Sequence, residues 1–187
     1  RIALEEARGV DVVLFDKTGT LTEGRQGVSD VLSIESGAAA ADAEAAMLAL
    51  AASVEKRAEH PIGRAIVAEA QARGLKIPKA TKFVSLPGRG AEARVEDRTV
   101  TVTSARLVIE RGIPMEPSLV HANRQHSAEG KTVVFVLEGS EVLGLIALAD
   151  VIRPESAEAV ALLRKRGVRV AMLTGDSHAV GNWVAHR

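Results

Sequence analysis

An aspartate follows a run of four apolar residues near the start of the chain. The run is Val12 to Phe15, and Asp16 and a polar Lys-Thr-Gly-Thr segment come directly after it. Such a run predicts a buried strand of a parallel sheet, with the carboxylate at the strand's carboxyl end, where α/β sheets place their chemistry. Backbone N–H groups in the following turn can cradle a phosphate. Asp16 is therefore a candidate nucleophile that would form an acyl phosphate.

A second apolar run ends in a similar polar turn near the other end of the chain. Val168 to Leu173 predicts a strand, and Thr174-Gly175-Asp176 follows it at the start of a helix from Ser177. A helix amino terminus beside a threonine hydroxyl is a prepared anion site. We expect the two strands to be neighbours in one parallel sheet, so that Thr174 binds the phosphoryl group carried by Asp16. A plain helix cap is the alternative for this turn.

The residue two positions after the nucleophile separates two kinds of enzyme. Soluble phosphatases that use such a strand-end aspartate have a second aspartate there as general acid and base, whereas this chain has Thr18. Thr18 predicts a phosphorylated form that is hydrolysed slowly. The stretch Asp-Lys-Thr-Gly-Thr-Leu-Thr from Asp16 to Thr22 resembles the phosphorylation signature of P-type ATPases, within the haloacid-dehalogenase-like superfamily.

The resemblance implies roles for the residues around both turns. Lys17 and the Thr18 to Thr20 turn would position the phosphate, and Mg²⁺ would bind through Asp16 and the Thr18 backbone carbonyl. Thr174, Gly175 and Asp176 match the family's Thr-Gly-Asp motif. The Asp150 to Pro154 stretch is similar to its domain-boundary hinge, which would use Asp150 and Arg153, although a structural ion pair is an equal alternative there.

The segment between the two turns has a different pattern. Alanine-rich residues 37–57 predict a helix, with low-complexity disorder as the alternative, and a second helix is expected from Pro61 to Gly74. Short β-branched runs between Thr81 and Thr103 predict antiparallel strands, and a hairpin is expected across residues 138–141. Further expectations are a strand from Gly27 to Ser36 and surface helices at 104–110 and 117–128.

Three elements of this insertion resemble the heavy-metal (type IB) branch of the P-type ATPases. They are Glu55, the pair His60-Pro61, and a Gly-x-Gly formed by Gly88 and Gly90. The resemblance implies an ATP site, in which an imidazole at a helix start contacts adenine and two glycines allow close backbone approach. A helix cap and an ordinary turn are the alternatives for His60 and for the glycines.

The chain departs from the family pattern in two ways. Thr103-Ser104 stands where many members have a Gly-Asn pair, which favours weak ATP binding and is similar to the B-type copper exporters. The sequence also lacks the Gly-Asp-Gly-x-Asn-Asp stretch that supplies magnesium-binding carboxylates. We therefore expect the chain to be a fragment of a longer protein, with doubtful catalysis by itself.

Composition excludes several functional classes. The chain has 187 residues, no cysteine, and 24 basic against 24 acidic side chains, so disulfides, thiolate metal sites and an electrostatic nucleic-acid surface are not expected. Its longest apolar run, Val142 to Ala149, is far shorter than the roughly 20 residues of a membrane helix.

The combined prediction is an α/β fold of the haloacid-dehalogenase-like, Rossmann-type class. A parallel sheet, incomplete at its C-terminal side, would form a phosphorylation domain from residues 1–24 and 142–187. An inserted α+β nucleotide-binding domain, an antiparallel sheet flanked by helices, would span 25–141.

The corresponding functional hypothesis is the ATP-binding and aspartyl-phosphorylation region of a heavy-metal, copper-exporting P-type ATPase. Its cofactors would be ATP and Mg²⁺, and its partners the membrane and actuator domains of the same polypeptide. The region would lie on the cytoplasmic side of an integral plasma-membrane protein and would not itself bind the transported metal. A soluble phosphatase with a cap domain and a catalytically silent nucleotide-binding module are the alternatives.

The remaining polar and aromatic residues predict structure rather than chemistry. Trp183 is expected to pack, and Arg164 to Arg166 to stabilise the end of a helix from Pro154 that turns Leu162 and Leu163 inward. Arg1 to Gly9 predicts a short amphipathic helix. Four histidines are expected to face solvent: His121, His126, His178 and His186.

Overall fold

The computed structural model describes residues 9–58, 60–175 and 178–186. The helix expected over Arg1 to Gly9 therefore lies outside the described residues except at its last position. The strands are β1 (Val12–Asp16), β2 (Thr22–Ser33), β3 (Ala80–Leu86), β4 (Gly90–Val95), β5 (Arg98–Thr103), β6 (Thr132–Glu138), β7 (Glu141–Ile152) and β8 (Arg169–Leu173). The helices are α1 (Ala40–Glu55), α2 (Pro61–Ala72), α3 (Ala105–Glu110), α4 (Pro117–Ala128), α5 (Pro154–Lys165) and α6 (His178–Ala185).

The chain divides into two compact units. Unit 1 contains residues 1–25 and 150–187, and unit 2 contains residues 26–149. Unit 2 ends at residue 149, later than the expected end of the inserted domain at residue 141. The reason is that β7 pairs with β6 from Glu141, opposite Glu138, to Leu148, opposite Thr132, so residues 142–149 belong to the antiparallel sheet.

Unit 2 is built on a six-stranded antiparallel sheet in the order β2-β7-β6-β5-β4-β3. Alternate residues of β6 point to opposite faces, as strand geometry requires. Val134 and Val136 pack with α1 and α2 on one face, while Phe135 and Leu137 pack with α3 and α4 on the other. Because both faces of the central strands are covered, β6 and β7 are almost continuously apolar.

The predicted helices and antiparallel strands of the insertion are present. The alanine-rich segment is helical rather than disordered, and its apolar side chains Met47, Leu48 and Val54 are buried against the sheet. Its stretch Gly37–Glu55 has the length and composition of a membrane-spanning helix, but in unit 2 it is a core helix. The strand expected from Gly27 to Ser36 begins earlier, at Thr22, and ends at Ser33.

Unit 1 contains a parallel strand pair, as predicted. β1 and β8 are aligned from Val12 opposite Arg169 to Asp16 opposite Leu173. The expectation that β1 is buried is wrong for the described part of the chain, because Leu14 is 68% exposed. An apolar run predicts a strand but does not show what covers its faces.

Helix α5 also differs from its prediction. Leu162 is 51% exposed rather than turned inward, and none of the α5 side chains is buried. Arg164 and Lys165 do lie in its last turn, where basic side chains interact favourably with the helix dipole.

One of the four histidines expected in solvent is buried. His126 is only 7% exposed, and its Nδ1 lies 3.2 Å from Nζ of the buried Lys131. Lys131 also forms ion pairs of 2.8 Å with Asp30 and with Glu129. Burial opposes ionisation of Asp30, but hydrogen bonds from Lys131 and Ser29 outweigh it, so the pKa of Asp30 is lowered. Lys131 is thus a buried cation that is paired with two carboxylates.

Candidate functional site

Asp16 is the last residue of β1, and its side chain is exposed. The next five residues, Lys17–Leu21, form a single wide turn of π-helix, with non-helical backbone at Thr18 and at Gly19. Gly19 has a φ of 81°, a backbone conformation that residues other than glycine rarely adopt. The buried Thr22 closes the turn, since its hydroxyl donates to the Lys17 carbonyl oxygen at 3.2 Å. The sequence thus presents the carboxylate at the edge of a backbone loop.

The segment after β7 holds this turn through polar contacts. Nζ of Lys17 lies 3.0 Å from Oδ2 of Asp150, and Lys17 is buried. The backbone N–H of Arg153 donates to the Leu21 carbonyl oxygen at 2.9 Å, and the Ser156 hydroxyl donates to the same oxygen at 3.1 Å. Asp150 and Arg153 therefore contact the turn itself, and the ion pair expected as an alternative there joins Asp150 to Lys17.

Thr174 and Gly175 lie at the same end of the strand pair as Asp16. Asp16 is aligned with Leu173, so Thr174 comes one residue beyond the strand partner of Asp16. Gly175 is exposed, whereas Asp176 and Ser177 lie outside the described residues. This arrangement brings an exposed carboxylate and a threonine to one sheet edge, where a phosphoryl group could be received.

A second candidate site lies wholly within unit 2. It is a cavity of about 580 Å³, a size typical of pockets for drug-sized ligands. Apolar side chains, among them Phe83 and Val133, form much of its lining. Predicted site residues that line it are Glu55, His60, Gly88 and Gly90, and Pro61 is not among its lining residues.

Glu55 is the last residue of α1 and is only 7% exposed. Burial raises the pKa of its carboxyl group to about 7. Within the ranges that the structure describes, no side chain forms an ion pair or hydrogen bond with this carboxylate. Gly63 packs against it so closely that a Cβ there would overlap Oε2. The cavity wall therefore contains a carboxyl group that can accept or donate a hydrogen bond near neutral pH.

His60 caps the amino terminus of α2. Its Nδ1 accepts a hydrogen bond from the Ile62 N–H at 3.3 Å, and the exposed ring also lines the cavity. Pro61 occupies the first helical position, where its fixed φ favours the helix. His60 is therefore a helix cap, which was the alternative for it, and it also lies in the cavity wall.

The turn between β3 and β4 forms another part of the cavity lining. The Arg89 N–H donates to the Leu86 carbonyl oxygen at 2.8 Å, and Gly88 has a φ of 66°. A Cβ on Gly90 would overlap the Val102 carbonyl oxygen, so the closeness of β4 to β5 requires glycine there. Thr103 and Ser104 line the cavity next to this turn.

Comparison with known proteins identifies the fold family. The haloacid dehalogenase-like hydrolase family matches residues 10–187. The chain belongs to that family. This agrees with the α/β class that the sequence predicts.

Among sequence relatives of this haloacid dehalogenase-like chain is copper-exporting P-type ATPase B of Archaeoglobus fulgidus. The two are 45% identical over 185 residues, which is 99% of this chain and 25% of the relative. The resemblance to heavy-metal P-type ATPases noted in the sequence is thereby confirmed. The chain spans about a quarter of the length of this relative.

Solved structures give the same picture. The crystal structure of a zinc-transporting PIB-type ATPase superposes with a TM-score of 0.83 and 36% identity, over 98% of this chain and 29% of that one. The crystal structure of the N-domain of a copper-transporting P-type ATPase matches with a TM-score of 0.53 and 35% identity. It covers 66% of this chain, which in turn spans 99% of that domain.

The described residues of this family member fit ATP better than they fit Mg²⁺. The cavity combines apolar walls, an imidazole and a hydrogen-bonding carboxyl group, which suits a purine. No group of three or more histidine or acidic side chains among the described residues is placed to hold a metal ion. Asp16 offers Mg²⁺ one carboxylate, and Mg²⁺ ordinarily uses one or two together with phosphate oxygens.

Sequence reasoning missed several residues that shape these sites. Gly63 interrupts an otherwise good helix sequence, and such an exception is a usable signal of close packing. No sequence pattern pointed to Ser156, because its contact with Leu21 joins positions that are 135 residues apart in the chain. The sequence had singled out Thr103 as a departure from the family's Gly-Asn pair, but the partner of its hydroxyl was not predictable, since that partner depends on how β5 pairs with β4.

Proposed function

We propose that the chain is the ATP-binding and phosphoryl-accepting region of a heavy-metal P-type ATPase, with the unit 2 cavity as its nucleotide site. The observation that carries this proposal is the convergence of Glu55, His60 and Gly90 on one cavity of adequate size. Apolar walls would receive the purine, and the Glu55 carboxylate would accept a hydrogen bond from an N–H group of the base.

Asp16 would be the acceptor of the phosphoryl group. Bound ATP supplies an activated γ-phosphoryl group: a bond from an Asp16 carboxylate oxygen to phosphorus forms, the bond to the β-phosphate oxygen breaks, and ADP leaves. Thr174 would donate a hydrogen bond to the transferred group. Lys17 would act mainly by holding the turn, because its ammonium group is paired with Asp150.

The parent protein would export a heavy metal, with copper favoured by the 45% identical relative. Its membrane and actuator domains would be the partners of this region, which would lie on the cytoplasmic side. Metal selectivity would reside in membrane residues, since a zinc-transporting protein is also similar over 98% of this chain. Mg²⁺ would be needed for transfer, with Asp16 as one of its ligands.

Titration of the 187-residue chain with ATP, by calorimetry or NMR, tests the nucleotide site. We expect a Kd between about 1 μM and 1 mM, that is, roughly −8 to −4 kcal/mol. His60→Ala should weaken binding, whereas His121→Ala, an exposed histidine that does not line the cavity, should leave it unchanged. The site would be refuted if the wild-type chain did not bind ATP, or if His60→Ala and His121→Ala bound ATP with equal affinity.

Incubation of the chain with Mg²⁺ and with ATP labelled at the γ-phosphate tests whether Asp16 accepts the phosphoryl group. Label that resists acid and is released by hydroxylamine should disappear in Asp16→Asn and persist in Asp11→Asn, an exposed aspartate just before β1. Neither variant should change ATP affinity. ATP binding without any label would favour a silent nucleotide-binding module, and turnover of small phosphomonoesters would favour a phosphatase with a cap domain.

A further inference from the structure

The turn between β3 and β4, residues 87–89, has little of its own to hold it. Its internal backbone hydrogen bond is the one from the Arg89 N–H to Leu86. Gly88 adopts a positive φ, and nothing lies within 4 Å of where its Cβ would be. A loop of this kind loses conformational entropy when it is ordered around a ligand, and that loss reduces affinity.

Thr103 fastens this turn from the end of the neighbouring strand. It is the last residue of β5, stands opposite Gly90 in the β4–β5 register, and is only 1% exposed. Its hydroxyl donates to the Arg89 carbonyl oxygen at 2.5 Å, and the Ser104 N–H donates to the same oxygen at 3.3 Å. The side chain of Arg89 is tied separately, by a 3.2 Å ion pair with Glu110 of α3.

We propose that Thr103 is a positioning residue of the nucleotide site, whose buried hydroxyl holds the Gly88-Arg89-Gly90 turn in the shape that receives ATP. This inference rests on the proposed ATP site. Because the hydroxyl proton is already donated to Arg89, Thr103 supports the ligand indirectly. Without the hydroxyl, the Arg89 carbonyl keeps only the longer bond from Ser104, and the turn gains freedom that ATP must remove.

The same strand provides a matched control. Thr101 lies two residues earlier in β5, is also 1% exposed, and its hydroxyl donates to Oε2 of Glu92 at 3.0 Å. Thr101 does not line the cavity. Thr101→Val and Thr103→Val each remove one buried hydroxyl without changing side-chain shape, so any general loss of stability should be similar in the two variants.

The experiment is an ATP titration of the wild-type chain, Thr103→Val, Thr103→Ser and Thr101→Val. We expect Thr103→Val to raise the Kd for ATP by about threefold to tenfold, the effect of one hydrogen bond. Thr103→Ser, which keeps the hydroxyl, should restore affinity to within about twofold of wild type. The Kd of Thr101→Val for ATP should also stay within about twofold of wild type, although its thermal unfolding midpoint falls as much as that of Thr103→Val.

Hydrogen exchange in the absence of ATP gives an independent readout. The amides of Arg89 and Ser104 should exchange faster in Thr103→Val and at the wild-type rate in Thr101→Val. Equal Kd values for the two valine variants, or failure of serine to restore affinity, would overturn the positioning role. Absence of ATP binding in the wild type would instead overturn the proposed nucleotide site, whatever the exchange rates show.

Discussion

The two units bury their apolar side chains to very different extents. In unit 2, Phe135 and Ile146 are completely buried, on opposite faces of a sheet that is covered by helices on both sides. In unit 1, Leu14 and Leu173 are 68% and 65% exposed. Val184 is the one apolar side chain that is buried among the described residues of unit 1.

This difference shows that the two candidate sites are held by different forces. The cavity is shaped by close packing, as the positions of Gly63 and Gly90 indicate. The turn after Asp16 is held instead by the Lys17–Asp150 ion pair and by hydrogen bonds to Leu21. We therefore expect unit 2 to dominate stability, and the Asp16 end to depend mainly on polar contacts.

The largest expected effect comes from the core of unit 2. Phe135→Ala should lower the free energy of unfolding of that unit by about 3–5 kcal/mol, because it removes a fully buried aromatic side chain and leaves a cavity. Urea unfolding followed by far-UV circular dichroism measures this loss. Fluorescence of Trp183, the only tryptophan, reports on unit 1, and its midpoint should not change.

Val84→Ala is the control within the same unit. Val84 is 51% exposed on β3, so its truncation should cost less than about 1 kcal/mol. If Phe135→Ala shifts the dichroism and fluorescence midpoints equally, the units unfold as one and the contrast between them does not hold.

The sequence predicted the elements of both units better than their environments. The apolar run before Asp16 and the one before Thr174 correctly predicted adjacent parallel strands. The exposure of Leu14 was not predictable, because a strand's sequence does not specify what packs on its faces. His126 was misassigned for a similar reason, since its burial depends on Lys131 and on Asp30, which lies 101 positions away from Lys131.

The cavity of unit 2 was partly predictable. Glu55, His60 and Gly88 were recognised from the resemblance, and their convergence required the fold. The roles of Gly63 and Thr103 needed packing and strand register, which local propensity does not encode.

The second expected effect is a pH dependence caused by Glu55. In the folded chain the pKa of the Glu55 carboxyl group is about 7, above its usual value of 4.5. The contribution of Glu55 to stability is therefore present below about pH 4.5 and is lost as the pH rises through 7. Glu55→Gln keeps the shape and removes the charge. We expect the variant to be more stable than wild type at pH 8 by on the order of 2 kcal/mol, and nearly equal at pH 5.

Urea unfolding by circular dichroism at both pH values measures this difference. Glu141→Gln, at an exposed position at the start of β7, should show no such change between pH 5 and pH 8. An equal difference at both pH values would mean that the Glu55 carboxyl group is not desolvated in unit 2.

The smallest expected effect concerns the exposed side of the strand pair in unit 1. Leu14→Ser should change the unfolding free energy by no more than about 0.5 kcal/mol, since the leucine is 68% exposed and serine forfeits little burial. Val184→Ser, at the 8% exposed position, should cost about 2 kcal/mol. Trp183 fluorescence in urea measures both. A loss for Leu14→Ser as large as that for Val184→Ser would mean that Leu14 is covered in solution, and unit 1 would then share the packing that distinguishes unit 2.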